Sequence, residues 1–137
     1  MQSLETEPET LLIVTTRLRD HGQLDFPWFS EIDPSIESIR STIAAQDDER
    51  QWIFGGGEPT LRPDFPRLLD LLPADAIIAT DGLALHKPNI VEKLVEFGLR
   101  KVRIPIHSAR ADAHNWLVGI PGAHRRVCDA VQVLLDH

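Results

Sequence analysis

One short glycine-rich segment carries the clearest chemical signal in this sequence. Gly55-Gly56-Gly57-Glu58-Pro59 follows directly after a short apolar run. Backbone without side chains lets a small ligand lie against a strand end, and carbonyl groups with a carboxylate supply acceptors for an ammonium group. The segment has neither the Gly-Lys-Ser/Thr of a phosphate-binding loop nor the glycine spacing of a dinucleotide site. We predict a ligand site at Gly56, Gly57, Glu58 and Pro59, with a simple strand-to-helix turn as the alternative.

Other residues that could bind a metal or transfer a proton are scattered along the chain. His107 is a candidate ligand or proton-transfer group, although a hydrogen-bonded interior histidine is the commoner case. Asp20, His21 and Asp25 form an Asp-His-x3-Asp pattern that is weak for a metal site and more typical of a surface loop. Three further histidines are expected at exposed loop or helix-end positions, namely His86, His114 and His124.

The single cysteine excludes several kinds of site. Cys128 cannot form an intrachain disulfide, and one thiol cannot supply a zinc ribbon or a protein-ligated iron-sulfur cluster. Its neighbours Val127 and Val131 fall on the apolar stripe of the last predicted helix. We therefore predict that Cys128 is a small buried residue without a chemical role.

Length, charge and hydropathy point to one globular domain. The chain has 137 residues, a 42% hydrophobic share and a formal net charge of -7. A chain of this length can bury a real core, and an acidic balance disfavours binding to nucleic acid. No stretch is apolar enough for a membrane span, and the first ten residues lack the pattern of a secretory signal, so we expect a cytoplasmic protein.

Strand-like and helical patterns alternate along the chain. Apolar runs predict strands at 11–15, 51–54, 76–79 and 102–106. Alternation of this kind gives repeated βα units and a parallel sheet with right-handed crossovers. We predict an α/β fold of about four βα units that form a half or partial (β/α) barrel over residues 11–137, after an acidic tail or lead-in at 1–10.

The fourth predicted strand differs from the others. It alternates polar and apolar residues and contains Pro105, which is typical of an edge strand. Alternation would place Val102, Ile104 and Ile106 under the helices, with Arg103, Pro105 and His107 facing the barrel interior.

Helix boundaries follow from capping residues. We expect Asp33 to cap the first helix, Pro63-Asp64 to open the second and Gly98 to end the third. The last predicted helix runs roughly from His124 to Leu135.

Residues 54–65, Phe-Gly-Gly-Gly-Glu-Pro-Thr-Leu-Arg-Pro-Asp-Phe, resemble the segment after the second strand of radical S-adenosylmethionine (SAM) enzymes. The likeness continues at Thr80-Asp81-Gly82, where that family commonly has Thr-Asn-Gly. The regions 104–108, 114–115 and 119–122 are similar to peptide-modifying members of the His-Xaa-Ser maturase type. The likeness covers the first four βα units of a six-unit partial barrel. It implies a SAM-binding site formed by Gly56, Gly57, Glu58, Pro59, Thr80 and His107.

The same resemblance implies that a cofactor is missing. Radical SAM enzymes hold a 4Fe–4S cluster through a Cys-x3-Cys-x2-Cys loop after strand one, and the cluster anchors SAM and delivers the electron that cleaves it. Our alignment places Leu18, Gly22 and Asp25 at the three cysteine positions. Pro105 also stands where the family often has a serine near the adenosine or ribose. We therefore expect no 4Fe–4S cluster from this chain and only weak SAM binding.

These observations support four different hypotheses about the function of the protein. The first is a non-catalytic radical SAM-like domain that acts as a binding or accessory protein in peptide modification. It would bind a protein partner, a peptide substrate or a second copy of itself. The open edge of strand four would be the surface for self-association or for docking of a second chain. The second is a cluster-free protein that binds SAM or another small ligand at Gly56, Gly57 and Glu58. A third is one half of a split radical SAM enzyme whose partner supplies the cluster, and a remnant without a ligand is a fourth.

Overall fold

A computed structural model of the chain describes residues 8–19, 32–46 and 50–137. Its strands form one parallel sheet in the order β1-β2-β3-β4. The strands are β1 (Glu9–Thr15), β2 (Gln51–Gly56), β3 (Ile77–Ala79) and β4 (Lys101–Arg103). The predicted α/β class with a parallel sheet is confirmed, and within the described ranges the sheet is a partial barrel that is not closed.

Within the residues that the structure describes, five α-helices follow or separate the strands. They are α1 (Ile36–Ala44), α2 (Phe65–Leu69), α3 (Pro88–Phe97), α4 (Ala111–Val118) and α5 (Ala123–Leu135), with a 3-10 turn at Pro59–Leu61. The sequence did not predict α4 as a separate helix. No helix in the part of the chain that the structure describes is long and apolar enough to cross a membrane.

Helix ends agree with the predicted caps in two cases of three. Asp64 is the N-cap residue of α2, and Gly98 ends α3 with a positive φ of 120°. The prediction for α1 was wrong, because Ser35 caps that helix by accepting the N–H of Ser38. Asp33 instead accepts hydrogen bonds from Thr15 and Arg17, which ties the start of α1 to the end of β1.

The strand order explains where the core lies. Consecutive parallel strands joined by right-handed crossovers place all their helices on one face of the sheet. Phe54 and Ile78 sit side by side in the register of β2 and β3, and both are fully buried in the main core. Their neighbours Ile53 and Ile77 point to the opposite, concave face because side chains alternate along a strand. The register therefore separates a helix-covered face from a concave face.

The fourth strand is shorter than predicted. β4 ends at Arg103, and its position at one edge of the sheet agrees with the prediction. Pro105 and His107 lie beyond it, and Ile106 is exposed rather than packed under the helices. The proline lacks a backbone N–H, so the strand cannot continue its ladder there.

Candidate functional site

Glu58 lies at the carboxyl ends of β2 and β3 and is only 3% exposed. Its Oε1 accepts hydrogen bonds from the Thr60 N–H (3.1 Å), the Thr60 hydroxyl (2.7 Å) and the Thr80 hydroxyl (2.7 Å). Its Oε2 accepts the N–H of Asp81 at 2.5 Å. The structure thus brings together two of the predicted site residues, Glu58 and Thr80, and the carboxylate bonds to the protein itself.

A second carboxylate lies beside the first. The Asp81 side chain accepts the N–H of Leu83 (2.9 Å) and a hydrogen bond from Arg19 (2.6 Å), so an ion pair joins the loop after β1 to the turn after β3. Burial raises the pKa of the Glu58 carboxyl, and the neighbouring Asp81 charge adds to the effect, giving a value of about 6. Glu58 is therefore a buried acid that titrates just below neutral pH.

The raised pKa of Glu58 predicts the sign of one pH effect. The folded protein holds the proton more tightly than the unfolded chain, whose pKa is near 4.5. The resulting stabilisation is present below pH 4.5 and is lost as pH rises through about 6. Relative to Glu58→Gln, the wild-type free energy of unfolding should gain about 2 kcal/mol between about pH 7.5 and pH 4.5. Urea denaturation of both proteins across this range measures the difference.

Comparing the wild type with Glu58→Gln removes the contribution of His114 to the pH dependence of stability, which has the opposite sign. Burial, with smaller effects from His107 and His124, lowers the pKa of His114, so acid removes stability at that residue. Because His114 is present in both proteins, its contribution cancels. A difference that stays constant from pH 7.5 to pH 4.5 contradicts the assignment to Glu58.

The glycines before Glu58 are packed against the chain's own backbone. A Cβ on Gly56, where φ is +98°, would come within 2.7 Å of Ile13 and of the Thr15 carbonyl oxygen. The N–H of Gly57 donates to the Thr15 carbonyl and that of Glu58 to the Arg17 carbonyl, both at 2.7 Å. A side chain at Gly56 or Gly57 would therefore clash with β1 or the residues after it, and the ligand site predicted at these glycines stays a prediction. Pro59 is buried as the first residue of the 3-10 turn.

Arg62 is a central residue of this region that the sequence analysis did not single out. It is 4% exposed, and its Nη1 donates to the carbonyls of Val14 (2.7 Å) and Pro34 (2.8 Å). Its Nε and Nη2 donate to both carboxylate oxygens of Asp64, and these bonds lower the pKa of that carboxyl. Arg62 thus holds β1, the start of α1 and the start of α2 together. The Arg-x-Asp spacing before a helix start was the available signal.

His107 does not join the Glu58 site. It is exposed beyond β4, its N–H donates to Nδ1 of His114, and the two rings stack at 5.5 Å. The prediction that His114 is exposed was wrong, because α4 turns this residue inward to 2% exposure. His124 contacts His114 edge-on, so these side chains join α4, α5 and the segment after β4.

The prediction that Cys128 is buried was also wrong. Cys128 is exposed on α5, and its Sγ lies 3.8 Å from Nδ1 of His124. No group of three or more His, Cys, Asp or Glu side chains within residues 8–19, 32–46 and 50–137 could hold a metal ion.

The donor groups that follow β1 do not fit an iron-sulfur cluster. Thiolates are the usual cluster ligands, and the sole thiol of this chain is on α5. Leu18, at one predicted cysteine position, is partly buried and has no donor atom in its side chain. The other two positions, Gly22 and Asp25, lie outside the described residues, as do Asp20 and His21. By residue type alone, no cysteine stands in the loop between β1 and α1.

Comparison with known families agrees with the resemblance seen in the motifs. The family profile described as "Radical SAM superfamily" matches residues 26–137. This range contains the glycine segment, Glu58, Thr80 and every strand except β1.

Curated relatives match shorter parts of the chain. The AdoMet-dependent heme synthase of Methanosarcina barkeri is 37% identical over 86 residues, which is 60% of this chain and 24% of that protein. A protein named "Probable GTP 3',8-cyclase" from Methanocella arvoryzae is 33% identical over 85 residues, 61% of this chain and 27% of its own length. Mycofactocin maturase MftC of Mycobacterium ulcerans is 32% identical over 95 residues, which is 64% of this chain and 26% of that protein. The matched part is about a quarter of each relative.

Proposed function

Because this chain belongs to the radical SAM superfamily and has no cysteine between β1 and α1, we propose that it works as a binding or accessory domain without radical SAM catalysis of its own. Its relatives are named as enzymes, among them a heme synthase and a maturase. The proposed difference lies in the cofactor: this chain keeps the sheet and the Glu58 segment but lacks the thiolates that a cluster needs.

The observation that carries this proposal is the bonding of the Glu58 carboxylate. Four protein hydrogen bonds reach it, three of them on Oε1. A carboxylate bonded in this way holds the ends of β2 and β3 in place, and only one lone pair, on Oε2, is left for a further donor such as a ligand ammonium group. The ion pair of Arg19 with Asp81 lies next to it. These bonds support a structural role for the segment after β2, and with it a binding role elsewhere on the domain.

Anaerobic reconstitution tests the proposal directly. Purified protein is incubated with ferrous iron, sulfide and reductant, desalted, and assayed for bound iron and for the visible absorbance of a cluster. We expect no retained cluster and no cleavage of added SAM. A Cys128→Ser variant is the matched control, because iron bound adventitiously by the exposed thiol disappears in it. Stoichiometric iron and sulfide that persist in Cys128→Ser, or SAM cleavage by the isolated chain, overturn the proposal.

One observation favours a second candidate, cluster-free binding of SAM or a similar amino acid ligand. Oε2 of Glu58 accepts a single hydrogen bond, from Asp81, which leaves it one further lone pair. Calorimetric titration of SAM into the same protein, without iron, decides between the candidates. Saturable heat that Glu58→Gln abolishes favours ligand binding, and the absence of heat supports the accessory role.

We also propose that the partner contacts the open side of the sheet and that the role lies in peptide modification. β4 carries Lys101 and Arg103 at an edge that no described strand covers. An open parallel edge exposes backbone donors and acceptors, which favours association. Support for peptide modification comes from the resemblance of residues 104–108, 114–115 and 119–122 to peptide-modifying members of the family. One relative is named as a mycofactocin maturase.

A further inference from the structure

His114 is a buried titratable residue that the proposed function does not use. It lies on α4 with 2% of its surface exposed. Its Nδ1 accepts the backbone N–H of His107 at 3.2 Å, and the centroids of the two stacked imidazole rings are 5.5 Å apart. The ring of His124 on α5 meets His114 edge-on at 5.7 Å. Three histidines from three segments of the chain therefore converge at one junction.

The hydrogen bond from His107 fixes the protonation state of His114. A backbone N–H can only donate, so Nδ1 must present its lone pair. The imidazole is then neutral and carries its single proton on Nε2. Protonation of Nδ1 would remove the lone pair and set one N–H group against another. The hydrogen bond between His107 and His114 therefore requires neutral His114.

The surroundings of His114 oppose its protonation. Burial lowers its pKa below the ordinary value of 6.5, and the charges of His107 and His124 lower it further. The remaining ionisable side chains of α4 and α5 are exposed or bond elsewhere. Asp112 pairs with Arg110, Arg126 donates to the Leu83 carbonyl, Cys128 lies beside His124, and Arg125 and Asp129 are exposed.

The same hydrogen bond anchors the segment between β4 and α4. Residues 104–110 form neither helix nor strand. Within the described ranges, the bond from His107 to His114 is the one hydrogen bond that joins residues 105–109 to α4 or α5. Ligands of parallel α/β sheets bind beyond the carboxyl ends of the strands. Movement of this segment would therefore change access to the carboxyl end of β4.

We propose that His114 is an acid-sensitive latch: in its neutral form it holds residues 104–110 on α4 and α5, and its protonation releases this segment and opens the carboxyl end of β4. The inference goes beyond the proposed function, because it uses neither the missing cluster nor the Glu58 segment. The release should begin as pH falls below 6.5 and reach its full extent below the lowered pKa of His114. Acid stabilises the protein at Glu58, so the two residues respond to pH with opposite signs.

Hydrogen exchange of the His107 amide tests the latch in the intact chain. The protection factor divides the intrinsic exchange rate by the measured rate, so it corrects for the slower intrinsic exchange in acid. As pH falls below 6.5, wild-type protection at His107 should decrease by up to about tenfold per pH unit, because each opening takes up one proton. The amides of β2 report unfolding of the whole protein and should not share this loss.

Two substitutions separate the latch from a general effect of acid. His114→Asn keeps an acceptor oxygen near the position of Nδ1 but cannot take up a proton, so protection at His107 should no longer depend on pH. His86→Asn removes an imidazole that bonds to the Leu83 carbonyl outside this junction, and it should keep the wild-type response. If His114→Asn does not fold, nitrogen NMR of the wild-type His114 ring still supplies a test. At neutral pH it should show a proton on Nε2 and none on Nδ1.

Three results would overturn the latch. Wild-type protection at His107 that stays constant in acid would show that the bond does not respond to protonation. A loss that persists in His114→Asn, or that β2 shares equally, would assign the effect to another group or to global unfolding. A proton on Nδ1 at neutral pH would contradict the hydrogen bond itself. These outcomes leave the accessory role to be judged by cluster reconstitution, so failure of the two proposals is distinguishable.

Discussion

Replacing Arg62 with alanine should lower the free energy of unfolding by about 3–5 kcal/mol. The guanidinium is buried and donates to two backbone carbonyls and to both oxygens of Asp64. Its removal leaves the carbonyls of Val14 and Pro34 without these donors and separates β1 from the starts of α1 and α2. Urea denaturation followed by circular dichroism measures the loss.

Two further variants give this result a physical interpretation. Arg67→Ala removes an exposed arginine from α2 and should change stability by about 0.5 kcal/mol or less. Arg62→Lys keeps the charge but not the forked geometry, so it should fall between the wild type and Arg62→Ala. A loss at Arg62→Ala as small as that at Arg67→Ala contradicts the role assigned to Arg62. If Arg62→Ala does not fold, Arg62→Lys still supplies the test.

The two central strands were predictable because each is a compact apolar run. Gln51–Gly56 and Ile77–Ala79 are central strands with Phe54 and Ile78 buried, as their composition indicates. Local capping chemistry also marked the end of α3 at Gly98. These signals lie within a few residues of the feature that they predict.

The region around α4 was harder to predict because its pattern is weak. Ala111–Val118 mixes small, polar and apolar residues, so periodicity does not show that His114 faces inward. Cys128 is adjacent to the buried Val127, but each helical residue turns about 100° from the last, which brings Cys128 to solvent. At the boundary of the apolar stripe of a helix, a buried residue does not show that the next residue in the sequence is also buried.

The candidate site shows the same division between local and distant contacts. Glu58 and Thr80 could be named from motifs at the ends of two strands. Arg62 bonds to Val14, 48 residues earlier, and no local pattern indicates that contact. The packing of β1 against the glycines is likewise a contact between distant segments, so no local pattern indicates that the backbone of Thr15 and Arg17 lies beside them.

Replacing Gly57 with alanine should lower the free energy of unfolding by about 3 kcal/mol. A Cβ at this position would lie 2.7 Å from the Thr16 carbonyl carbon and closer still to the Arg17 carbonyl oxygen. Both obstacles are backbone, which cannot rotate away as a side chain can. The hydrogen bond from the Glu58 N–H to Arg17 should break with the clash, so this amide should also exchange with solvent faster.

Gly122 provides the matched control for Gly57. It has a positive φ of 73°, but a Cβ there meets nothing within 4 Å, so Gly122→Ala should cost only the left-handed backbone penalty of about 1 kcal/mol. Urea denaturation gives both losses, and hydrogen exchange of the Glu58 amide should change in Gly57→Ala alone. Equal losses in the two variants would show that the segment after β1 does not pack on the glycines. The space beside Glu58 would then be open to a ligand, and cluster-free SAM binding would become the better explanation of the glycine segment.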